Sequence, residues 1–174
     1  TPKPSSAASD VYKRQNLKAK LKNTLTELKS SELHPTKKRN EAFKLVELVW
    51  STIFALGVDN VQFTPEEKCE LGPLLDVNLT KLDVYLSCLV DSFQPGLSEK
   101  SLYARSAVEF LLKNYRDFPS RKNNVKLEVR LGDLSQVVED LTEAIGNWNS
   151  SPWGWGDFTG ETPKEIPKEH VWWF

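Results

Sequence analysis

The side chains able to do chemistry are few and scattered: two histidines, His34 and His170, two cysteines, Cys69 and Cys88, and two tight groups of acids. Glu66, Glu67 and Glu70 share one spacing, i, i+1, i+4, with Glu139, Asp140 and Glu143. On a helix that spacing puts carboxylates on one side of the cylinder, where a pair could exchange protons or hold a divalent cation. Each group has a simpler reading. The first follows Thr64-Pro65, a helix-start signal, where acids meet the positive end of the helix dipole. The second faces away from the apolar stripe of its own helix, as a solvated face does. Neither histidine lies within a helical turn of a second ligand type, and no HExxH occurs. A site assembled from Cys69, Cys88 and the histidines would need ligands to converge from distant segments, and the spacing gives that no support. There is no GxxxxGK[ST], GxGxxG or GxSxG pattern. Gly154-Trp155-Gly156 is flanked by tryptophan, follows no strand and reads as a turn. The sequence therefore supports no catalytic residue, metal site or cofactor, and the expectation is a protein that is not an enzyme.

Aromatic residues carry the strongest signal. Five of the six tryptophans fall in the last 27 residues, Trp148, Trp153, Trp155, Trp172 and Trp173, and the sixth, Trp50, sits inside a long apolar stretch. Tryptophan combines a large apolar surface with one N–H that wants an acceptor, so it concentrates at seams and binding surfaces. A segment that reads Trp-Gly-Trp-Gly and closes on Trp172-Trp173-Phe174 is either a lid on the domain's own core or a docking element. As a docking element it would use Trp153, Trp155, Trp172, Trp173 and Phe174 as apolar anchors, on a protein partner or on a second copy of the chain. A membrane-surface role fits worst, since Glu161, Glu165 and Glu169 would be repelled by anionic lipid.

Charge offers an alternative. The net charge is −1, yet residues 1–40 carry ten Lys/Arg against three acids (+7), and residues 133–174 carry two against eight (−6). Lys18 and Lys22 share the first helix, and Lys37, Lys38 and Arg39 open the second. Converged, these residues could grip phosphates without reading bases. A pI near 6.1 and the lack of a helix-turn-helix or RNP-type pattern rank nucleic-acid binding below protein docking.

At 174 residues, 39% hydrophobic and 27% charged, the composition is that of one globular domain. Both cysteines lie among apolar residues at helical spacing and read as buried free thiols, which favours a reducing, cytoplasmic setting. No apolar run is long enough to cross a bilayer, and no signal peptide is visible. Ser5 to Gln15, Ser-Ser-Ala-Ala-Ser-Asp-Val-Tyr-Lys-Arg-Gln, resembles a recurrent translation of sequencing-adapter DNA. The resemblance implies that residues 1–15 are a disordered, non-native leader, as on a metagenomic fragment; a natural disordered leader is the competing reading. The domain is then 16–148, followed by a Trp/Pro-rich segment at 149–174.

The elements that must position these residues are helical. Asn16 caps a helix reaching Leu28, with Leu17, Leu21, Leu25 and Leu28 as its stripe. His34-Pro35 breaks the chain, and a second helix over 37–56, apolar on nearly every side from Leu45 onward, stops at Gly57 as its C′ residue. Thr64-Pro65-Glu66-Glu67 is a capping box opening a short helix that Gly72-Pro73 ends. Another helix spans Leu79 to Phe93, and a further one Ser98 to Phe118. Val125, Leu127, Val129 and Leu131 alternate with charged residues, a strand pattern whose best partner is Val58 to Phe63; a helix from about 124 is the competing reading. Asp133 to Trp148 is cleanly amphipathic. The expected fold is all-α: a compact bundle of about five to six helices, with room for one short two-stranded β pairing and an irregular Trp-rich tail.

Overall fold

A computed structural model describes residues 6–34, 36–91 and 98–149, with side chains described over 10–34, 36–91 and 100–140. Among the described residues the chain is all-α, with five helices: α1 (Ser6–Ser30), α2 (Thr36–Val58), α3 (Pro65–Asp91), α4 (Ser98–Asn114) and α5 (Arg121–Asn149). The principal packing runs α1 to α2, α2 to α4, α4 to α5, α5 to α3, and α3 back to α1. The five helices thus close a ring around one core.

The apolar stripes read from the sequence face that core. Leu21, Leu25 and Leu28 of α1, Val46, Val49, Trp50 and Ile53 of α2, and Leu82, Leu86 and Leu89 of α3 are buried. So are Ala104, Val108 and Leu111 of α4, with Tyr115 and Phe118 in the turn beyond it. Burying a leucine or isoleucine contributes about 2 kcal/mol. These stripes, rather than local propensity, hold the helices.

No strand occurs among the described residues, and the expected β pairing is replaced by helix. The alternation at 125–131 is a coincidence of two helical faces. Leu127, Leu131, Leu134 and Val138 recur at steps of four, three and four and point inward, whereas Val125 and Val129 are 55% and 63% exposed. The proposed partner, 58–63, is occupied by a helix stop. Asn60 adopts φ 46°, the Val61 N–H bonds Leu56 O at 2.9 Å, and the Asn60 N–H bonds Gly57 O at 3.0 Å. These two bonds are a Schellman motif with Asn60, not Gly57, as the left-handed C′ residue. Gly57 lies within α2 and serves packing, because a Cβ there would run into the Phe110 ring.

Gly72-Pro73 does not end a helix either. α3 runs through both residues, with Pro73 exposed and Gly72 buried where a Cβ would stand 2.6 Å from the Phe118 carbonyl oxygen. Leu71, Leu75, Leu79 and Leu82 bury on one side of that continuous helix, which offsets the hydrogen bond a mid-helix proline removes. α4 stops at Asn114 instead of Phe118, and α5 starts at Arg121 with Ser120 as N-cap, its Oγ 3.4 Å from the Asn123 N–H. α1 extends back to Ser6, through residues set aside above as a disordered leader.

Candidate interaction site

The basic residues proposed to grip phosphates are placed on α1 and at the start of α2, and most of them have partners within the chain. Lys18 Nζ lies 2.7 Å from Glu67 Oε2, and Lys22 Nζ 2.5 Å from Glu70 Oε2, so both pairs tie α1 to α3. Lys18 also stands 5.0 Å above the Phe63 ring. Lys38 pairs with Glu32 at 2.7 Å. Arg39 donates to Cys88 Sγ at 3.4 Å and lies over the Phe43 ring. Lys37 is exposed. These five side chains therefore form two groups, an α1–α3 seam and a patch beside the α1–α2 turn.

The first acid group is built into that same seam. The Thr64 N–H donates to Glu67 Oε2 at 2.8 Å, and the Glu67 N–H donates to Thr64 Oγ1 at 3.3 Å, a reciprocal capping box. Burial pushes the Glu67 carboxyl up, but the Lys18 hydrogen bond, the Thr64 N–H and the Lys18 charge together hold it below its ordinary value. A shallow cleft of about 230 Å³ opens here, lined by Lys18, Lys22, Phe63, Glu67, Glu70 and Leu71 among others. Its cations and carboxylates neutralise one another in pairs, which is a structural seam rather than a poised acid and base. Glu139 and Asp140 are exposed on α5, with Asp140 Oδ1 accepting from Gln136 Nε2 at 2.9 Å. Among the described residues no group of three or more His, Cys, Asp or Glu gathers as metal ligands. Neither thiol is buried as its apolar neighbours suggested: Cys69 is exposed and Cys88 half-buried, and both are free.

Ionic and polar links join the remaining helices. Lys81 of α3 reaches the end of α1, donating to the carbonyls of Leu28, Ser31 at 2.6 Å and Lys29 at 3.2 Å, so a cation meets the negative end of the helix dipole. Desolvation lowers the Lys81 pKa. Asp83 of α3 holds Lys126 and Arg130 of α5, each at 3.0 Å. Glu47 of α2 accepts from Lys100 of α4 at 2.7 Å and from the Tyr85 hydroxyl of α3 at 3.1 Å. Burial, then the Glu47 charge and hydrogen bond, push the Tyr85 phenol well above its usual range.

The anchors Trp153, Trp155, Trp172, Trp173 and Phe174 lie outside the described residues. The helix that leads into them is described, and its outer face was missed in the sequence. Val125 and Val129 stand one turn apart on the side of α5 away from the core, and Gly132 follows with nothing within 4 Å of the position a Cβ would take. The signal was present as spacing by three and four residues, hidden beneath the period-two alternation. Among the described residues no helix is long and apolar enough to cross a membrane. No family model matches the chain, and neither curated proteins nor solved structures yield a match.

Proposed function

We propose that this protein is a non-enzymatic interaction or adaptor protein that docks through its aromatic C-terminal segment. One observation carries the reading: five of six tryptophans lie in the last 27 residues, while the sixth, Trp50, is buried in the helical core at 3% exposure. The bundle acts as the carrier, and α5 leads its chain directly into the anchors Trp153, Trp155, Trp172, Trp173 and Phe174. Residues 150–174 hold Asp157, Glu161, Glu165 and Glu169 against Lys164 and Lys168, four acids to two bases. The partner surface that fits is an apolar groove with a basic rim. Phosphate binding by the basic residues ranks second, because Lys18, Lys22 and Lys38 already have carboxylate partners.

Tryptophan fluorescence of the full chain tests this in a Trp50→Phe background. Trp50 Nε1 is buried without a protein acceptor, so phenylalanine removes an unpartnered N–H and the signal comes from the remaining tryptophans. Red-shifted emission open to acrylamide supports docking. Blue-shifted, protected emission from a monomer assigns the segment to the domain's own core and ends the docking reading. Salt-steep binding to generic duplex DNA would promote the second reading instead.

A further inference from the structure

The outward side chains of α5 fall at Lys122, Val125, Val129, Gly132, Gln136 and Glu139, in alternating steps of three and four. That is the spacing of a helix–helix seam. It lies opposite the inward stripe of Leu127, Leu131, Leu134 and Val138. Val125 and Val129 are exposed in its middle. Gly132 disfavours helix where it stands, and nothing within 4 Å of its Cβ position requires a glycine inside this chain. Without a side chain, its backbone is open to close approach from outside.

We propose that α5 pairs antiparallel with α5 of a second copy of this chain, Val129 seating over Gly132 of the second copy. Two-fold symmetry makes that contact twice. The next layers set Val125 against Gln136 of the second copy and Lys122 against Glu139 of the second copy. On the flanks Lys126 faces Asp133 of the second copy, and Glu128 faces Ser135 of the second copy. Within each chain Lys126 also holds Asp83, Asp133 holds Arg130, and Glu128 holds Arg116, so the new contacts extend existing charge chains without opposing like charges. A parallel pair fails on charge. It would bring Lys122 against Lys122 and Glu139 against Glu139, and set Glu128 beside Asp133.

The seam from Lys122 to Glu139 spans about 26 Å of helix. Its apolar centre is small, so the pairing is weak and concentration-dependent. It uses no residue beyond Asp140 and stands apart from docking by the aromatic segment.

Sedimentation equilibrium of the full chain from about 10 μM to about 1 mM tests the pairing. The expected result is a mass rising towards the dimer. Val129→Glu and Lys122→Glu each weaken association by about tenfold or more, with circular dichroism and dilute-solution melting unchanged. Lys122→Glu combined with Glu139→Lys restores it to within about threefold, because the reversed pair attracts again. A monomer throughout the range overturns the proposal, as does a dimer indifferent to both single substitutions. A dimer lost only when Trp153, Trp155, Trp172 and Trp173 are replaced also overturns it, and leaves docking by the aromatic segment standing.

Discussion

Tyr115 shows how much one polar atom carries in this bundle. Its hydroxyl lies 3.1 Å from the Leu56 carbonyl and 2.9 Å from the Val61 carbonyl, both at the C-terminal stop of α2, and its ring packs against Phe63 and Phe118 in a three-ring cluster. Burial raises its pKa well above the usual range, so it is a neutral donor at neutral pH. Tyr115→Phe keeps the ring and removes the donor, and urea denaturation should show a loss of about 1–2 kcal/mol. Glu67 carries a pH dependence of definite sign. Its folded pKa lies below the ordinary value of 4.5, so the stability it contributes is complete above that value and lost as pH falls through the folded one. Glu67→Gln should cost about 1 kcal/mol at neutral pH, from the weakened cap and the lost Lys18 pair. The variant's acid unfolding profile should be flatter below pH 4.5, read by circular dichroism.

Two helical glycines, Gly57 in the last turn of α2 and Gly132 in the middle of α5, make opposite predictions for the same substitution. Gly57→Ala forces a methyl group into the Phe110 ring at the α2–α4 seam and should destabilise by about 1–3 kcal/mol. Gly132→Ala adds a methyl into open space on α5 and should stabilise the dilute chain by about 1 kcal/mol, because alanine is the better helix former. Thermal melts of both variants at low concentration check the pair. These positions also show what was legible in the sequence. Inward stripes and the capping box at Thr64 were readable because each depends on residues close in the chain. The role of Gly57 was not, because it is decided by Phe110, more than fifty positions away. Pro73 reads as a stop until the leucines burying on either side of it are known. The alternation at 125–131 reads as a strand until Leu134 and Val138 extend its inward half at helical steps. The basic candidates were legible as residue types, but their carboxylate partners on α3 belong to the tertiary fold.

At the level of the whole molecule, α3 packs against both the first helix and the last. It holds α1 through Lys81 and the Lys18 and Lys22 pairs, and α5 through Asp83. Asp83 is largely buried, with its side chain at 11% exposure, so removing its charge takes the ion pair from Lys126 and leaves Arg130 with Asp133. Asp83→Asn should destabilise by about 2 kcal/mol, measured by guanidinium denaturation, with Lys126→Met giving a smaller loss because Lys126 is the more exposed partner.

The order in which the ring closes dictates a sequence of events in time. α1–α2 and α4–α5 are neighbours in the chain and can meet by short loop closures, whereas the contacts of α3 with α1 and with α5 close longer stretches of chain and should form later. A nascent chain would carry the α4-facing side of α2 uncovered until α4 is made. Stopped-flow kinetics should show this at the α3–α5 seam, where Asp83→Asn leaves refolding nearly unchanged and speeds unfolding. The last contact to form is the first to let go.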